Sequence, residues 1–511
     1  MSTPTLKPTS EQIEAVALFR EGSLIVNAYA GAAKTTTATM IARDQELRSK
    51  RGIYLAFNKS IATEAASKFP RSVQCKTTHG LAFGPMMRRF GERIDKMTGS
   101  INAHSVMIHA PIHSISVQTS KGAMTLRQLQ AAALTLSCVA RFCQSADVSI
   151  GPQHVPFDGA LARFDAQGQR TVASVVVPWA QHLWKKMTDP ADPLPIGHDG
   201  YLKVWALSRP AIRADYVMLD EAQDTNPAVL EVLASSGLKV AYVGDQYQQI
   251  YSWRGAINAM DRICVGNRSY LTQSFRFGDA VANVANLVLR PLGATLDLRG
   301  TSSIASRVVQ LDPDPVKAGA VEVPTTVIAR TNMDLLGEYV FQLNNRRRIH
   351  IVGGNIELRR LLEDVVNLQM EQPASRPELF GFQTWNEVVD FAEDETNGAH
   401  ALRTLVRMVT SFGAQALLDS LGRAEPTEET AEFVLSTAHK AKGREWNRVR
   451  LASDFRIASD DPGQLGLPEE LRLFYVAATR AKQLLEIPAS YIETLDAAVA
   501  TAFNGVPETQ S

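Results

Sequence analysis

Short apolar runs that end in small or polar residues recur along this chain. The runs at 24–28, 216–219 and 239–243 contain four or five mainly apolar residues, a length typical of buried strands. Stretches with helical periodicity lie between such runs, most clearly from Leu126 to Phe142. Strands that alternate with helices and end in polar loops predict doubly wound α/β domains, with the functional loops at the carboxyl edge of each sheet.

The run at 24–28 leads into a loop of small residues, then Lys34 and Thr35, then a helix-like stretch. This order predicts a phosphate-binding loop, in which backbone N–H groups and the positive end of the helix bind the phosphates of ATP. Lys34 is expected to neutralise the β- and γ-phosphates, and the Thr35 hydroxyl to ligate Mg²⁺. The candidate nucleotide-binding residues of this loop are Ala28, Tyr29, Ala30, Gly31, Ala32, Ala33, Lys34, Thr35 and Thr36.

Two alanines stand where the phosphate-loop pattern has glycines. Ala28 and Ala33 take the two glycine positions, and only Gly31 lies between them. If the backbone at Ala33 is left-handed, its methyl group costs about 1 kcal/mol. An ordinary strand–helix turn is therefore the alternative, and the retained Lys34 favours a nucleotide site.

The apolar run at 216–219 ends in two adjacent carboxylates, Asp220 and Glu221. One carboxylate can hold Mg²⁺ through its water shell, and the next can orient or deprotonate a water molecule. An acidic pair after a strand is more often a solvated turn. The pair therefore predicts catalysis only together with further parts of a nucleotide-hydrolysing site.

Composition limits the classes of protein that remain. A length of 511 residues suggests about three or four domains. The 53 basic and 53 acidic residues cancel, which argues against a histone-like nucleic-acid binder but allows a local DNA-binding groove. The four cysteines are scattered, so we expect reduced thiols and no zinc or iron–sulfur site. The polar N-terminus and the absence of long apolar runs predict a soluble cytoplasmic protein without a membrane partner.

Several motifs together resemble those of UvrD/Rep-like superfamily 1 helicases. Residues 220–224 (Asp-Glu-Ala-Gln-Asp) resemble the second motif of that family, and 244–256 resemble the third. Residues 271–276 resemble the fourth motif, 436–446 the fifth and 473–482 the sixth. The motifs fall in the family order across most of the chain.

The resemblance implies an ATP site built from several motifs. It assigns Asp220 to the water shell of Mg²⁺, Glu221 to the attacking water and Gln248 to the γ-phosphate. Arg276 and Arg480 would be two arginine fingers, planar permanent cations suited to a phosphoryl-transfer transition state. The base and ribose would be bound by three residues, Gln12 at the adenine edge, Phe275 stacked on the adenine and Glu445 at the ribose.

The resemblance also implies contacts with single-stranded DNA. An aromatic ring stacked on a base contributes about 1–3 kcal/mol without reading sequence, and short polar side chains contact phosphate and sugar. The alternative for Trp253 is burial in a core, and the strand-end residues alone would be ordinary loops. The candidate DNA-binding residues are Phe57, Asn58, Thr78, His79, Tyr251, Trp253, Arg254 and His439.

The predicted fold class is α/β, with two RecA-like doubly wound P-loop domains and two largely helical insertions. The first domain would combine residues 1–85 with 206–275, and the second 276–345 with 430–511. The insertions would be residues 86–205 and 346–429, of which the second is shorter than in large repair helicases. Residues 198–203 resemble the F-box DNA helicase branch, although we see no F-box.

The predicted function is an ATP-dependent DNA helicase or single-stranded DNA translocase in repair, recombination or replication, nucleoid-associated when bound to DNA. Its substrate would be single-stranded DNA or DNA with single-stranded tails, and the resemblance implies 3′→5′ movement. The alternative is a nucleotide-responsive regulatory subunit that binds DNA ends and controls a partner nuclease, for example in anti-phage defence. A pseudo-ATPase scaffold is disfavoured because Lys34, Glu221, Arg276 and Arg480 are all present. We see no nuclease constellation, so we do not expect the chain to cut DNA itself.

Overall fold

The computed structural model describes residues 7–119, 122–157, 161, 164–250, 260, 263–312, 324–376, 379, 382–393, 400–459 and 465–504. The strands of this described part are β1 (Leu24–Ala28), β2 (Gly52–Ala56), β3 (Val73–Thr77), β4 (Ile115–Thr119), β5 (Gly122–Leu126), β6 (Tyr216–Leu219), β7 (Lys239–Gly244), β8 (Asn267–Leu271), β9 (Arg307–Leu311), β10 (Thr325–Ala329), β11 (Ile349–Ile351), β12 (Phe433–Thr437), β13 (Trp446–Leu451) and β14 (Ala481–Pro488). The helices are α1 (Ser10–Glu21), α2 (Lys34–Arg43), α3 (Lys59–Lys68), α4 (Thr78–Arg89), α5 (Ile94–Thr98), α6 (Ala103–His109), α7 (Gln128–Cys143), α8 (Ala166–Thr188), α9 (Gly197–Leu207), α10 (Pro227–Ser235), α11 (Asp279–Leu289), α12 (Asn332–Asn344), α13 (Ile356–Gln369), α14 (Trp385–Glu393), α15 (His400–Phe412), α16 (Ala414–Ser420), α17 (Ala438–Ala441), α18 (Pro468–Ala478) and α19 (Ala489–Asn504).

Among the described residues, the first sheet has six parallel strands in the order β3-β2-β6-β7-β1-β8. Its four central strands are buried along nearly their whole length, which is why their sequences read as continuous apolar runs. The edge strands β3 and β8 are only partly buried. Because all six strands are parallel, the loops that follow β1, β2, β3, β6 and β7 leave from the same edge.

The second sheet, in the part of the chain that the structure describes, also has six parallel strands, in the order β11-β12-β10-β13-β14-β9. Its central strands β10 and β12 are fully buried, whereas the edge strand β9 is largely exposed. Two parallel sheets with helices packed on them confirm the predicted α/β fold class. No helix in the described ranges is both long and apolar enough to cross a membrane.

One predicted boundary is corrected by the pairing of β11. This strand lies within residues 346–429, which the sequence assigned to the second insertion, yet it pairs in parallel with β12. The second sheet therefore continues past residue 345. The strand is only three residues long, too short for its apolar pattern to be recognised in the sequence.

The first insertion is built on one face of the first sheet. Leu183 of α8 and Trp205 of α9 belong to the same buried cluster as Ile25 and Leu55 of the sheet. The helical pattern predicted from 126 to 142 is confirmed by α7. The insertion is not only helical, because β4 and β5 form an antiparallel hairpin within it.

The second insertion covers one face of the second sheet in the same way. Helices α13 to α16 pack together with α12, and Leu362 and Leu405 share a buried cluster with Val327 and Leu435 of the sheet. We call the part of the molecule built on the first sheet the first half, and the part built on the second sheet the second half. The opposite face of the second sheet is covered by α11 and α18, whose cluster also contains Tyr29 and Tyr247 from loops of the first half. The two halves of the molecule therefore pack against each other close to the edge from which these loops leave.

Candidate active site

The phosphate loop joins β1 to α2, and its backbone conformation shows which of its positions require a glycine. Ala28 is the last residue of the extended strand β1, so this position does not need a glycine. Ala33 adopts φ 56° and ψ 43°, the left-handed conformation that costs an alanine about 1 kcal/mol. At Gly31 φ is 76°, and an added Cβ would lie 2.4 Å from Ser274 Oγ. Gly31 is therefore the glycine that this loop requires.

Lys34, the first residue of α2, forms an ion pair with Glu221 across the sheet edge. The Lys34 Nζ lies 2.7 Å from Glu221 Oε1, and both side chains are mostly buried. Although burial lowers it, the carboxylates of Glu221, Asp220 and Asp245 raise the pKa of Lys34 above its ordinary value. The lysine is thus a permanent cation held among three acids, the charge needed to bind phosphate.

Glu221 follows β6 directly and has a left-handed backbone, with φ 50° and ψ 44°. Its Oε2 accepts a 2.6 Å hydrogen bond from the Gln223 amide. Burial acts to raise the pKa of Glu221, but Lys34 and Lys442 together lower it to about 2. The carboxylate is therefore ionised at neutral pH while it is paired with Lys34.

Asp220 is held by a tyrosine of the neighbouring strand. Tyr54, buried in β2, donates a hydrogen bond to Asp220 Oδ2. Burial and the neighbouring Glu221 raise the pKa of Asp220 above its ordinary range. A buried carboxylate and the hydroxyl of Thr35, both hard oxygen donors, fit Mg²⁺, and a divalent cation would offset the excess negative charge. The described residues contain no cluster of three or more His, Cys, Asp or Glu side chains suited to hold a metal by themselves.

Gln248 joins the loop after β7 to the second half of the molecule. Its amide nitrogen donates to Asp245 Oδ2 at 2.7 Å, and its oxygen accepts from Arg480 Nη2 at 3.3 Å. Burial and the charge of Arg276 lower the pKa of Arg480 to about 9, so the guanidinium remains charged at neutral pH. Two predicted catalytic residues from different sheets are thus in contact.

Lys442 makes a second connection between the halves. This residue directly follows α17. Its ammonium group forms a buried ion pair with Asp224 and donates a hydrogen bond to the Gln248 carbonyl. Burial raises the pKa of Asp224 to about 6, although Lys442 opposes this shift. The same cation acts on Glu221, so the second half contributes to the electrostatics of the acidic pair.

Arg276 lies on the segment that connects the two halves and is paired with Glu445. The two side chains meet at 2.7 Å, and Arg276 also donates to the Thr479 carbonyl at 3.0 Å. The N–H of Phe275 donates to the Gly31 carbonyl at 2.9 Å. The predicted adenine, ribose and γ-phosphate residues of this region therefore lie beside the phosphate loop.

Gln12 lies at the N-terminus of α1, and both ends of its amide are engaged. Its oxygen accepts from the Thr9 N–H at 3.1 Å, and its nitrogen donates to Thr37 Oγ1 at 3.2 Å. Because Thr37 belongs to α2, the glutamine is fixed to the helix that begins with Lys34. Its predicted role at the adenine edge stays a prediction.

The predicted DNA-binding residues that the structure describes directly follow strands, in loops or in the first turn of the next helix. Phe57 follows β2 and is 51% exposed, and Asn58 caps α3 by accepting the Ile61 N–H at 2.9 Å. His79 lies in the first turn of α4, next to Thr78, and its Nε2 is 3.2 Å from Asp199 Oδ1. The other predicted positions are His439, whose Nε2 lies 3.0 Å from the Ile250 carbonyl oxygen, and Tyr251, Trp253 and Arg254, which fall outside the described residues.

Four residues of this site were not singled out in the sequence. Asp245 carries nearly the same signal as Asp220, since it follows the apolar run at 239–243 after one glycine, and Lys442 is a cation within the fifth motif. Tyr54 and Tyr475 gave no such signal, because a tyrosine in an apolar run reads as ordinary core. Their hydroxyl groups matter only through partners that are distant in sequence.

The arrangement can bind and hydrolyse a nucleoside triphosphate. It combines a phosphate loop with a buried lysine, an ionised glutamate beside a candidate Mg²⁺ site, and two arginines, one on the connecting segment and one from the second half. Permanent cations placed around a site of developing negative charge stabilise the transition state of phosphoryl transfer.

Comparison with known proteins gives two family models and several relatives. Residues 9–260 match the UvrD/REP helicase N-terminal domain, and residues 371–492 match the UvrD-like helicase C-terminal domain. The chain is 29% identical over 498 residues to F-box DNA helicase 1 of Gallus gallus, which covers 90% of this chain and 46% of that protein. It is 28% identical over 497 residues to F-box DNA helicase protein 1 of Schizosaccharomyces pombe, which covers 90% of this chain and 55% of the relative. A probable DNA helicase II homolog of Mycoplasma genitalium is 22% identical over 382 residues, with 54% of each chain covered. The chain thus spans about half the length of these curated relatives.

Proposed function

Because this chain belongs to the UvrD/Rep-like helicases, we propose that it is an ATP-dependent DNA helicase or single-stranded DNA translocase. The observation that carries the proposal is the hydrogen bond between Gln248 of the first half and Arg480 of the second. The charge of Arg480 also interacts with that of Glu221, which is paired with Lys34. A site completed only by residues from both halves couples chemistry to the relative movement of those halves.

The proposed reaction is attack by water on the γ-phosphorus of ATP. The bond from the water oxygen to phosphorus forms, the bond to the oxygen of the leaving ADP breaks, and a water proton passes to Glu221. When bound at Asp220 and Thr35, Mg²⁺ would neutralise charge on the phosphate oxygens. Lys34 would leave Glu221 for the phosphates, and loss of this ion pair would raise the pKa of the glutamate and make it a better base.

The proposed DNA track runs over residues that directly follow strands at the carboxyl edges of the two sheets. Phe57 would stack on a base, while Asn58, Thr78, His79 and His439 would contact the sugar–phosphate backbone. Movement in the 3′→5′ direction, action in repair, recombination or replication, and a cytoplasmic, nucleoid-associated location are proposed from the family resemblance.

The Glu221→Gln substitution tests the chemistry. We expect the DNA-stimulated kcat for ATP hydrolysis to fall by about 10²- to 10⁴-fold, because the general base is lost, while binding of a fluorescent ATP analogue is retained. Glu64→Gln is a matched control, since Glu64 pairs with Lys68 on an exposed helix surface away from the site. The assays are ATP hydrolysis with and without single-stranded DNA, then unwinding of substrates with 3′ or 5′ tails.

The outcomes separate the two proposed classes of function. Hydrolysis that DNA stimulates, with unwinding only of 3′-tailed substrates, supports the helicase. A wild-type protein that binds ATP and DNA but shows no DNA-stimulated hydrolysis would contradict the motor and favour the nucleotide-responsive regulatory subunit of a partner nuclease. Equal losses in Glu221→Gln and Glu64→Gln would contradict the assigned role of Glu221.

A further inference from the structure

Tyr475 brings a single hydroxyl group from the second half into the centre of the active site. It lies on α18 and is completely buried. Its oxygen accepts the Ala30 N–H at 3.0 Å, and its O–H donates to Asp245 Oδ2 at 3.0 Å. A tyrosine hydroxyl can donate and accept at once, so this one group connects the phosphate loop with the loop after β7.

The Asp245 carboxylate passes this connection on to Gln248. Oδ2 of Asp245 accepts both the Tyr475 hydroxyl and the Gln248 amide, whereas Oδ1 accepts the Tyr247 N–H at 3.0 Å. Both carboxylate oxygens are therefore engaged, and Asp245 is completely buried. Loss of one donor leaves a buried carboxylate oxygen with one partner fewer, which favours rearrangement of the remaining hydrogen bonds to Asp245.

Arg480 adds a second contact from the same segment of the second half. It donates to the Gln248 oxygen, and it lies just beyond the end of α18, five residues after Tyr475. Hydrogen bonds thus connect Ala30, Tyr475, Asp245, Gln248 and Arg480 in that order, and the main chain joins Arg480 back to Tyr475. Two neighbouring residues of the second half therefore hold two loops of the first half.

We infer that Tyr475 is a positioning residue for ATP hydrolysis, which sets the phosphate loop and Gln248 in register when the two halves close. The inference rests on the proposed function and adds a role that Lys34, Glu221 and the arginines do not fill. Tyr475 does not touch the reacting atoms. It acts through Ala30 and Asp245, so its effect falls on the arrangement reached at closure.

The test compares Tyr475→Phe with Tyr491→Phe. Each substitution removes one hydroxyl and leaves the ring in the core. Tyr491 is a matched control because its hydroxyl also accepts a backbone N–H, that of Phe455, and donates to a carbonyl, that of Ala452, away from the site.

For Tyr475→Phe we expect kcat at saturating DNA to fall by about tenfold or more, while the KM for ATP changes by less than about threefold. Hydrogen exchange at Ala30, read from the phosphate-loop peptide by mass spectrometry, should become faster. Tyr491→Phe should change neither kcat nor the rate of hydrogen exchange at Ala30.

An unchanged kcat with unchanged exchange of the loop would overturn the inference and leave the motor function intact. Equal losses in the two variants, with equally lowered melting temperatures, would also overturn it, because the role would then be structural. If the wild type shows no DNA-stimulated hydrolysis, the motor proposal fails, but loop exchange still decides: faster exchange only in Tyr475→Phe supports positioning, and unchanged exchange contradicts it.

Discussion

Two non-glycine residues of the active site have a left-handed backbone. Ala33 ends the phosphate loop and Glu221 follows β6, and each conformation is sparsely populated for residues with a Cβ. Such conformations persist only where surrounding contacts hold them, and they are enriched at functional sites. At Glu221 the ion pair with Lys34 and the hydrogen bond from Gln223 are two of these contacts.

The strain at Ala33 predicts a stabilising substitution. Ala33→Gly should raise the free energy of unfolding by about 0.5–1 kcal/mol, because relief of the left-handed alanine outweighs the greater freedom of glycine in the unfolded chain. Ala32→Gly is the control, since Ala32 is buried and does not share the positive φ, and it should lower stability by about 0.5–1 kcal/mol. Denaturant unfolding measures both, and the same sign of change in the two variants would contradict the prediction.

Within the active site, residues that belong to contiguous motifs could be predicted from the sequence, whereas contacts between residues distant in sequence could not. Lys34, Asp220 and Glu221 stand in short patterns whose chemistry is local, and the structure places them together. The Tyr54 contact with Asp220 joins residues 166 positions apart, and that of Tyr475 with Asp245 joins residues 230 apart. No local pattern contains such a pair.

Helix α9 departs from an apolar core because it buries a lysine, Lys203. The Lys203 ammonium group donates to the carbonyls of Ser145 and Asp147 at 2.7 and 2.6 Å, and lies 4.3 Å from the centre of the Phe142 ring. It therefore ties α9 to the end of α7. Burial lowers the pKa of Lys203 to about 8.

This shift predicts a pH-dependent stability. Between pH 8 and 10.5 the unfolded chain keeps the Lys203 proton while the folded chain loses it, so the folded state gains stability as pH rises. The free energy of unfolding of the wild type, relative to Lys203→Met, should therefore increase across this range, by about 1–3 kcal/mol. Denaturant unfolding at several pH values tests this, and parallel profiles for the two proteins would contradict it.

Prediction of elements succeeded where the pattern was long or bounded by polar residues. The central strands and α7 have such patterns, and the structure confirms them. The strand β11 and the hairpin β4–β5 were not predicted. They are short, and their identity depends on pairing partners rather than on periodicity.

The first insertion and the first sheet share one hydrophobic core. Leu183 of α8 and Leu55 of β2 are fully buried in the same cluster, although they belong to segments that the sequence would treat as separate domains. A shared core couples the unfolding of the parts that build it. The insertion therefore stabilises the sheet that carries the phosphate loop.

This coupling predicts how core substitutions act. Leu183→Ala and Leu55→Ala should each destabilise the same unfolding transition, by about 2–5 kcal/mol. Leu362→Ala is a matched control, because Leu362 is equally buried but packs on the second sheet. Differential scanning calorimetry measures the transitions, and displacement of different transitions by the first two variants would show that the insertion unfolds independently.

The hydrogen bond from the Phe275 N–H to the Gly31 carbonyl has a mechanical consequence. The chain crosses to the second half immediately beyond this bond, so the phosphate loop lies next to the connection about which that half would turn in the proposed motor cycle. When one part of a molecule turns about a connection, atoms close to the connection move little and atoms far from it move further. In the proposed motor, a slight adjustment at the phosphate loop would thus become a longer displacement at distant surfaces of the second half, and this displacement would advance the DNA.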